Sequence, residues 1–282
     1  MNHLHRGLAP ISEAAWGEID DEARRSLRHF LTARKLVDLS GPHGWDHSAL
    51  GLGRVADAAD GPAEGVESRI RLVQPLAELR TPFTLERSEI DSVDRGAPDA
   101  DWDPVVDAAR RAALAEDRLV FGGFPAAGVR GVVETTPHDP VPIDTDYDHY
   151  PNYVASAVET LKRGGVSGPY ALALGPRCYT GVIETTEHGG YPVLEHLRLI
   201  VEGPVVWAPA VDGAVLISQR GDDFELVVGQ DLSIGYLDHD AERVRLYLEE
   251  SITFRAATPE AAIALAYADA PANRPARRGR RA

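Results

Sequence analysis

One stretch near the end of the chain, from Gly229 to Ala261, constrains the fold more than any other. Apolar and polar residues alternate in it, since Val244, Leu246, Leu248, Ile252 and Phe254 share one parity. Successive side chains of a β-strand point to opposite faces, so this period of two predicts a long, half-buried strand. An apolar run at 224–228 precedes it, and the glycines of the link 229–235 suit turns. Such a strand is expected to complete a domain that begins much earlier.

Charge and cysteine usage exclude several classes of protein. The formal net charge is −15 over 282 residues, although arginines cluster near the C-terminus. The acidic body argues against nucleic-acid binding by the fold, so nucleic acid would bind only through the basic tail 268–282, which we predict to be disordered. The single cysteine, Cys178, excludes an intrachain disulfide and favours a cytoplasmic protein. No apolar run approaches the roughly 20 residues that span a bilayer, so no membrane association is expected.

The N-terminal half is predicted to contain helices on either side of an extended segment. Ser12 suits an N-cap, and apolar residues recur at helical spacing from Trp16 to Leu31. Asp103-Pro104 predicts the start of a buried helix that ends near Phe121. Between these helices, residues 50–80 look extended and would bury little within their own subunit. They form either a flexible loop or an extended segment that packs on a neighbouring subunit. Residues 81–90 read as another strand.

The amino-acid composition changes near His138, where prolines and aspartates cluster. Helical and strand-like segments then alternate up to Gly221, which predicts a compact α/β insert. The chain is therefore expected to form a discontinuous α+β domain, built from about 1–135 and 223–267. The insert and the arm interrupt it.

No constellation in the sequence meets the requirements of catalysis. The run from Asp144 to His149 begins like a calcium loop, but His149 and Ala155 stand where glycine and glutamate are needed. His43, Asp46 and His47 lie close together, as do His239 and Asp240, but neither group has a further His, Cys or Glu at zinc-binding spacing. Cys178 has no base nearby in sequence. The residues therefore favour self-assembly over an enzyme and predict no metal site.

Several long motifs resemble the encapsulin family of shell proteins, the linocin M18-like family. They are LAPISEAAWGEIDDEA (8–23), ARKLVDLSGPHGW (33–45), PFTLERSEIDSVDRG (82–96), GQDLSIGY (229–236) and LYLEESITF (246–254). The resemblance covers roughly 1–267. It implies an α+β fold of the HK97 phage capsid type and a closed icosahedral homo-oligomer, commonly of 60 copies, in the cytoplasm. It also implies a cargo enzyme with a C-terminal targeting peptide, either a ferritin-like iron-storage protein or a dye-decolorising peroxidase. Roles in iron homeostasis and oxidative stress follow from that cargo.

The same resemblance implies a division of the chain into parts. The peripheral domain would comprise 1–49, 81–137 and 223–267, and the extended loop would be 50–80. The axial domain would be 138–222, and the tail 268–282 would be an addition to the family pattern.

The resemblance also implies two sites. A groove for the cargo peptide is expected at Leu27, Leu31, Arg34, Asp38, Ile234 and Tyr236, where the leucines and the isoleucine would seat apolar side chains and Arg34 and Asp38 would fix polar groups. A five-fold pore that attracts cations is expected at Glu184, Glu187, His188, Gly189, Gly190 and Tyr191.

Two further expectations concern what the chain does not do. Some encapsulins bind flavin on an exposed tryptophan, and this chain has Ser88 in that place, so no flavin or other cofactor is expected. Older views of the family suggested a hydrolase, protease or bacteriocin-like activity. That alternative needs a nucleophile with a base, and the sequence supplies none.

Overall fold

The computed structural model describes residues 3–187 and 189–268. Within them the helices are α1 (Glu13–Phe30), α2 (Arg87–Asp94), α3 (Asp103–Gly122), α4 (Val132–Thr135), α5 (Tyr150–Arg163), α6 (Pro176–Glu184) and α7 (Val193–Val201). The strands are β1 (Asp38–Ser40), β2 (Ala49–Asp57), β3 (Arg69–Pro75), β4 (Ala77–Glu86), β5 (Val141–Ile143), β6 (Tyr170–Leu174), β7 (Val205–Trp207), β8 (Ala214–Ser218), β9 (Phe224–Val228), β10 (Ser233–His239), β11 (Arg243–Ala256) and β12 (Ala262–Tyr267).

The long strand predicted from the sequence is β11, and it organises the first sheet. The strand order is β1-β9-β11-β10, and β4 pairs with β11 along its other side. β9 pairs with the C-terminal end of β11 and β10 with its N-terminal half, so the two strands follow one another along the same side. α1 and α3 pack against this sheet through an apolar cluster that includes Ile19, Val105 and Leu246.

The prediction that β11 is half-buried holds at its N-terminal end, where Arg243 and Arg245 are exposed and Val244 and Leu246 are buried. Further along, the polar face is also covered, because Glu249 is 1% exposed and Thr253 is fully buried. Arg80 lies over the Tyr247 ring and bonds to Glu249, and His3 also approaches Glu249. The alternation correctly identified a strand but not the covering of its second face, which depends on residues far away in the sequence.

The glycines that flank the start of β10 are needed for close approach rather than for turns, contrary to the prediction. A Cβ at Gly229 would lie 2.5 Å from the Ser251 hydroxyl, and one at Gly235 would lie 2.2 Å from the Tyr247 ring. Neither glycine has a positive φ. Any side chain at these positions would therefore push β10 away from β11.

The second sheet has the order β5-β12-β8-β6-β7. α5, α6 and α7 cover it, and one apolar cluster runs from Leu172 and Leu216 to Leu226 and Phe254 of the first sheet. β12 was assigned by sequence to the first domain, but it pairs with β5 and β8 in the second sheet. The division into peripheral and axial domains stays a prediction, and residues 269–282 of the tail lie outside the described residues.

The predicted strand 81–90 contains two elements. β4 ends at Glu86, and α2 begins at Arg87, with the hydroxyl of Ser92 bonded to the carbonyl of Ser88. Ile90 is buried and Ser88 is exposed, so the apolar residue that extended the strand pattern belongs to a helix face.

Residues 49–75 form a hairpin of β2 and β3, which we call the arm. Within the described chain β2 and β3 pair with each other and with no other strand. Residues 51–73 include no buried side chain, and Val55, Ile70 and Val73 are all more than half exposed. The arm therefore presents apolar surface that its own subunit leaves uncovered in the described structure.

The start of α1 follows the sequence prediction closely. The Ser12 hydroxyl accepts a hydrogen bond from the backbone N–H of Ala15 at 3.1 Å. Ser12→Ala is expected to cost about 1 kcal/mol, because a helix-terminal donor loses its partner. That loss would lower the thermal midpoint by roughly 2–4 °C. Ser156→Ala, at an exposed position inside α5, is the matched control and should not lower the midpoint. An equal loss in both variants would contradict the capping role.

Candidate functional site

The structure brings together the apolar half of the predicted cargo groove. Ile234 is buried in the cluster between the first sheet and α1, and Leu27 and Tyr236 are partly buried against the same cluster. Leu232 packs there too and was missed, although it lies within the GQDLSIGY motif. Leu31 is only 9% exposed, and its N–H donates to the Leu27 carbonyl where α1 ends. Leu27, Leu232, Ile234 and Tyr236 thus pack in one apolar cluster, which has a polar edge at the Tyr236 hydroxyl, 2.6 Å from His239.

Arg34 has a different environment from the one predicted. Its Nε lies 2.9 Å from both carboxylate oxygens of Glu116, and its Nη1 lies 2.8 Å from Asp231. Its Nη2 also reaches Glu116 at 2.6 Å and Glu250 at 3.4 Å. The guanidinium is thus occupied by three carboxylates of its own chain. It joins the segment after α1 to α3, to β11 and to the loop before β10.

The carboxylates around Arg34 are unusually well buried. Glu116 is fully buried and Glu250 is 1% exposed. Burial, together with the neighbouring Glu116, raises the pKa of Glu250 well above its ordinary value. Burial alone would lower the pKa of Arg34, but the hydrogen bonds and charge of Glu116 and Asp231 raise it overall. Arg34 therefore stays charged and neutralises part of a buried acidic cluster.

A second buried acid lies beside this cluster. Asp117 accepts hydrogen bonds from the backbone N–H groups of Thr32, at 3.1 Å, and Ala33, at 2.8 Å. Burial raises the pKa of Asp117 to about 7, against the opposing effect of those two N–H groups. Sequence reasoning missed Glu116 and Asp117. Their only signal was two acidic residues on the buried side of a long helix.

Asp38 is not brought together with Ile234 and Tyr236. Asp38 lies in β1 and pairs with Glu225 of β9, which in turn pairs with Arg255 of β11. Ile234 of β10 pairs with Leu248 of β11. Seven residues along β11 separate those two levels, or roughly 23 Å. The Asp38 carboxylate instead accepts the N–H of Asp222 at 2.6 Å, and it lines a small cavity of about 100 Å³ with Arg34.

Four of the predicted pore residues lie in the loop between α6 and α7, namely Glu187, Gly189, Gly190 and Tyr191. The N–H of Glu187 donates to the Tyr191 carbonyl at 2.9 Å, and the N–H of Gly190 donates to the Glu187 carbonyl. Gly190 has a φ of +77°, which favours glycine. Glu184 ends α6 and is exposed, and His188 lies outside the described residues. His196 was missed by sequence reasoning. Its Nδ1 lies 2.5 Å from the Glu187 carboxylate and ties the loop to α7.

Cys178 has the environment of a structural cysteine. It is fully buried, and the hydroxyls of Tyr150 and Tyr267 lie 2.7 and 3.1 Å from its sulfur. Burial raises the pKa of the Cys178 thiol, which is the opposite of what a nucleophile needs.

Among residues 3–187 and 189–268, no group of three or more His, Cys, Asp or Glu side chains is placed to hold a metal ion. No helix in that same part is long and apolar enough to cross a membrane.

Solved structures define the class of fold. A virus-like particle from Pyrococcus furiosus superposes with a TM-score of 0.65 at 17% identity, over 88% of this chain and 98% of that one. The capsid of the myovirus phage XM1 gives a TM-score of 0.55 at 9% identity, over 84% and 92% of the two chains. The protein therefore has the mixed helix-and-sheet fold of HK97-like capsids, as predicted.

Sequence relatives then identify the family. The family model described as "Encapsulating protein for peroxidase" matches residues 1–253. A type 1 encapsulin shell protein of Rhodospirillum rubrum is 54% identical over 94% of this chain and 96% of its own length. One from Mycobacterium tuberculosis is 44% identical over 95% and 100%. The chain belongs to the encapsulin shell protein family, and its role is structural rather than catalytic. A more distant relative from Kuenenia stuttgartiensis, 23% identical over 89% of this chain, is a diheme-cytochrome–encapsulin shell fusion.

Proposed function

We propose that this protein assembles with copies of itself into a closed icosahedral shell, most simply of 60 subunits, in the cytoplasm. The observation that carries the proposal is the arm. Its apolar side chains, including Val55, Ile70 and Val73, lie in water in the isolated subunit. A contact between neighbours that is repeated around closed symmetry axes would bury that surface in every copy. Membership of the encapsulin family and the capsid fold support the same reading.

Size-exclusion chromatography and negative-stain microscopy of the purified protein test the shell. The expected result is a uniform, hollow, closed particle that elutes far ahead of a 30.5 kDa monomer. A protein that remains monomeric at physiological salt would overturn the proposal.

We propose further that the shell encloses a cargo protein whose C-terminal peptide binds on the surface formed by Leu27, Leu31, Ile234 and Tyr236. The cargo would be a ferritin-like iron-storage protein or a dye-decolorising peroxidase. The peroxidase in the family's description supports the second class, and the cytochrome fusion in a relative supports a redox protein as cargo. Mass spectrometry of the proteins that co-purify from native cells would identify the cargo. A particle that contains no other protein would overturn this part.

A charge in the groove is expected to empty the shell. Leu31 is buried, so a charge at that position would destabilise the end of α1 as well as the groove. Leu27 is only partly buried, and Leu27→Glu should leave particles of normal size with at least ten-fold less co-purifying cargo. Ala14→Glu adds the same charge at an exposed position of the same helix and serves as the matched control. Equal cargo in both variants would show that the groove lies elsewhere.

The loop from Glu184 to Tyr191 would line the five-fold pore of this shell. What supports the proposal is its exposure together with the carboxylates of Glu184 and Glu187, which would attract cations. No cofactor is proposed for the shell itself. An absorbance spectrum of the purified particle tests whether flavin is bound. A flavin spectrum that disappears in the Ser88→Ala variant would contradict the expectation that the shell binds no flavin.

A further inference from the structure

The buried acidic cluster around Arg34 is joined to the predicted cargo groove by one short segment. Segment 229–232 leads from β9 into β10. Within it, one carboxylate oxygen of Asp231 accepts two bonds, from Nη1 of Arg34 and from the backbone N–H of Leu232, both at 2.8 Å. Leu232 packs in the apolar cluster of the groove. Asp231 therefore ties the charged cluster to the start of β10 and to the groove.

Glu250 carries a proton in this cluster. Arg34 contacts Glu116 at 2.6 and 2.9 Å but Glu250 only at 3.4 Å. The other oxygen of Glu250, Oε1, is buried and has no hydrogen-bond donor among the described residues. Burial raises the pKa of Glu250 well above its ordinary value, and the charge of Glu116 and a hydrogen bond with it act in the same direction. Two carboxyl groups bond to each other only when one is protonated, so Glu250 is the neutral donor and Glu116 the acceptor.

The charged groups that face Glu250 come from three other elements. They are Glu116 from α3, Arg34 from the segment after α1 and Asp231 from the segment before β10. Glu249, the neighbour of Glu250 in sequence, lies on the opposite face of β11. While Glu250 keeps its proton, one guanidinium faces two carboxylates. Once the proton is lost, the same guanidinium faces three carboxylates, in a place that water does not reach.

Asp231 is the acidic member of the cluster that has access to water. Its side chain is 45% exposed, whereas Glu116 is fully buried and Glu250 is 1% exposed. Repulsion among the three carboxylates is therefore relieved most easily by movement of Asp231 into solvent. Because the same carboxylate holds the N–H of Leu232, that movement breaks the tie between the cluster and the groove.

We infer that Glu250 is a proton-dependent latch of the cargo groove. While it is protonated, Arg34 and Asp231 hold segment 229–232 in place; when it ionises, Asp231 moves into water and the segment loosens. The inference deepens the proposed cargo groove and rests on it for its function. The folded protein binds the Glu250 proton more tightly than the unfolded chain, so the latch holds at low pH and opens as the pH rises through the folded pKa.

Amide hydrogen exchange of the assembled particle tests the latch. The reference is Glu250→Gln, whose neutral amide still donates to Glu116 but cannot ionise. Between about pH 6.5 and about pH 9.5, the backbone amides of residues 229–236 should exchange increasingly faster in the unaltered protein than in this variant. The ratio should grow by up to about ten-fold per pH unit, because one proton is released. Comparison at equal pH removes the intrinsic pH dependence of exchange, and Asp117 titrates in both proteins. Glu242→Gln, at an exposed position before β11, is the matched control and should behave as the unaltered protein does.

The outcomes separate the latch from the groove. The same pH dependence in Glu250→Gln and in the unaltered protein, or no change with pH in either, would overturn the latch. Faster exchange in β6 and β8 of the second sheet, in step with residues 229–236, would also overturn it, because the subunit would then open as a whole. Cargo that co-purifies with the particle should leave over the same pH range in the unaltered protein and stay in Glu250→Gln. Exchange that follows the prediction while cargo stays in both proteins would support the latch and contradict the location of the groove.

Discussion

Replacing Arg34 by methionine is expected to destabilise the subunit by about 3–5 kcal/mol, because the change leaves a buried acidic cluster without its cation. Glu116 is fully buried, and Glu250 is 1% exposed, so water cannot replace the lost guanidinium. The thermal midpoint should fall by on the order of 10 °C. Differential scanning fluorimetry at equal protein concentration measures the shift. Lys35→Met, at the exposed neighbouring position, is the matched control and should change the midpoint little.

A second-site rescue identifies the cause. If buried charge is responsible, Arg34→Met combined with Glu116→Gln and Glu250→Gln should recover most of the lost stability, since neutral amides cost less to bury. If Arg34 instead contacts cargo directly, Arg34→Met would lose cargo at unchanged stability. A midpoint within 2 °C of the unaltered protein would show that the network contributes little.

The environment of Arg34 also shows where sequence reasoning stops. Resemblance placed Arg34 and Asp38 together in one groove, where both would fix polar groups of the cargo peptide. In the structure both residues line one small cavity but bond to different partners, because Arg34 turns toward Glu116 and Asp231 while Asp38 enters β1 and accepts the N–H of Asp222. Spacing along the chain cannot show which of two polar side chains meets partners 82 and 197 residues away.

Local signals predicted local structure well. The Ser12 cap and the helix from Asp103 each depend on residues within a few positions of one another. The errors lie in segments whose secondary structure or sheet membership depends on contacts with residues far away in the sequence. Ile90 continued an apolar alternation but belongs to α2, and β12 joins the second sheet because β5 and β8 offer it partners. Resemblance, unlike periodicity, carries information about the tertiary fold, and it placed together Leu27, Ile234 and Tyr236, which pack in one apolar cluster.

Asp117 should make the stability of the subunit fall as the pH rises toward neutrality. Its pKa is about 7 in the folded protein, against 3.8 for an ordinary aspartate. The folded state therefore holds the proton more tightly than the unfolded state does. The resulting stabilisation is complete below the unfolded pKa and is lost as the pH rises through the folded pKa. Between about pH 4.5 and about pH 7.5 the loss amounts to about 3 kcal/mol.

Asp117→Asn isolates this contribution, because an amide of the same shape keeps an acceptor for the N–H groups of Thr32 and Ala33 but does not titrate. The variant should gain stability relative to the unaltered protein as the pH rises, by about 3 kcal/mol across that range. Other groups, including Glu250, titrate in both proteins and cancel in the difference. Thermal midpoints of both proteins at several pH values measure it. A difference that stays constant with pH, or that shrinks as the pH rises, would show that Asp117 is ionised throughout and that its two N–H partners outweigh its burial.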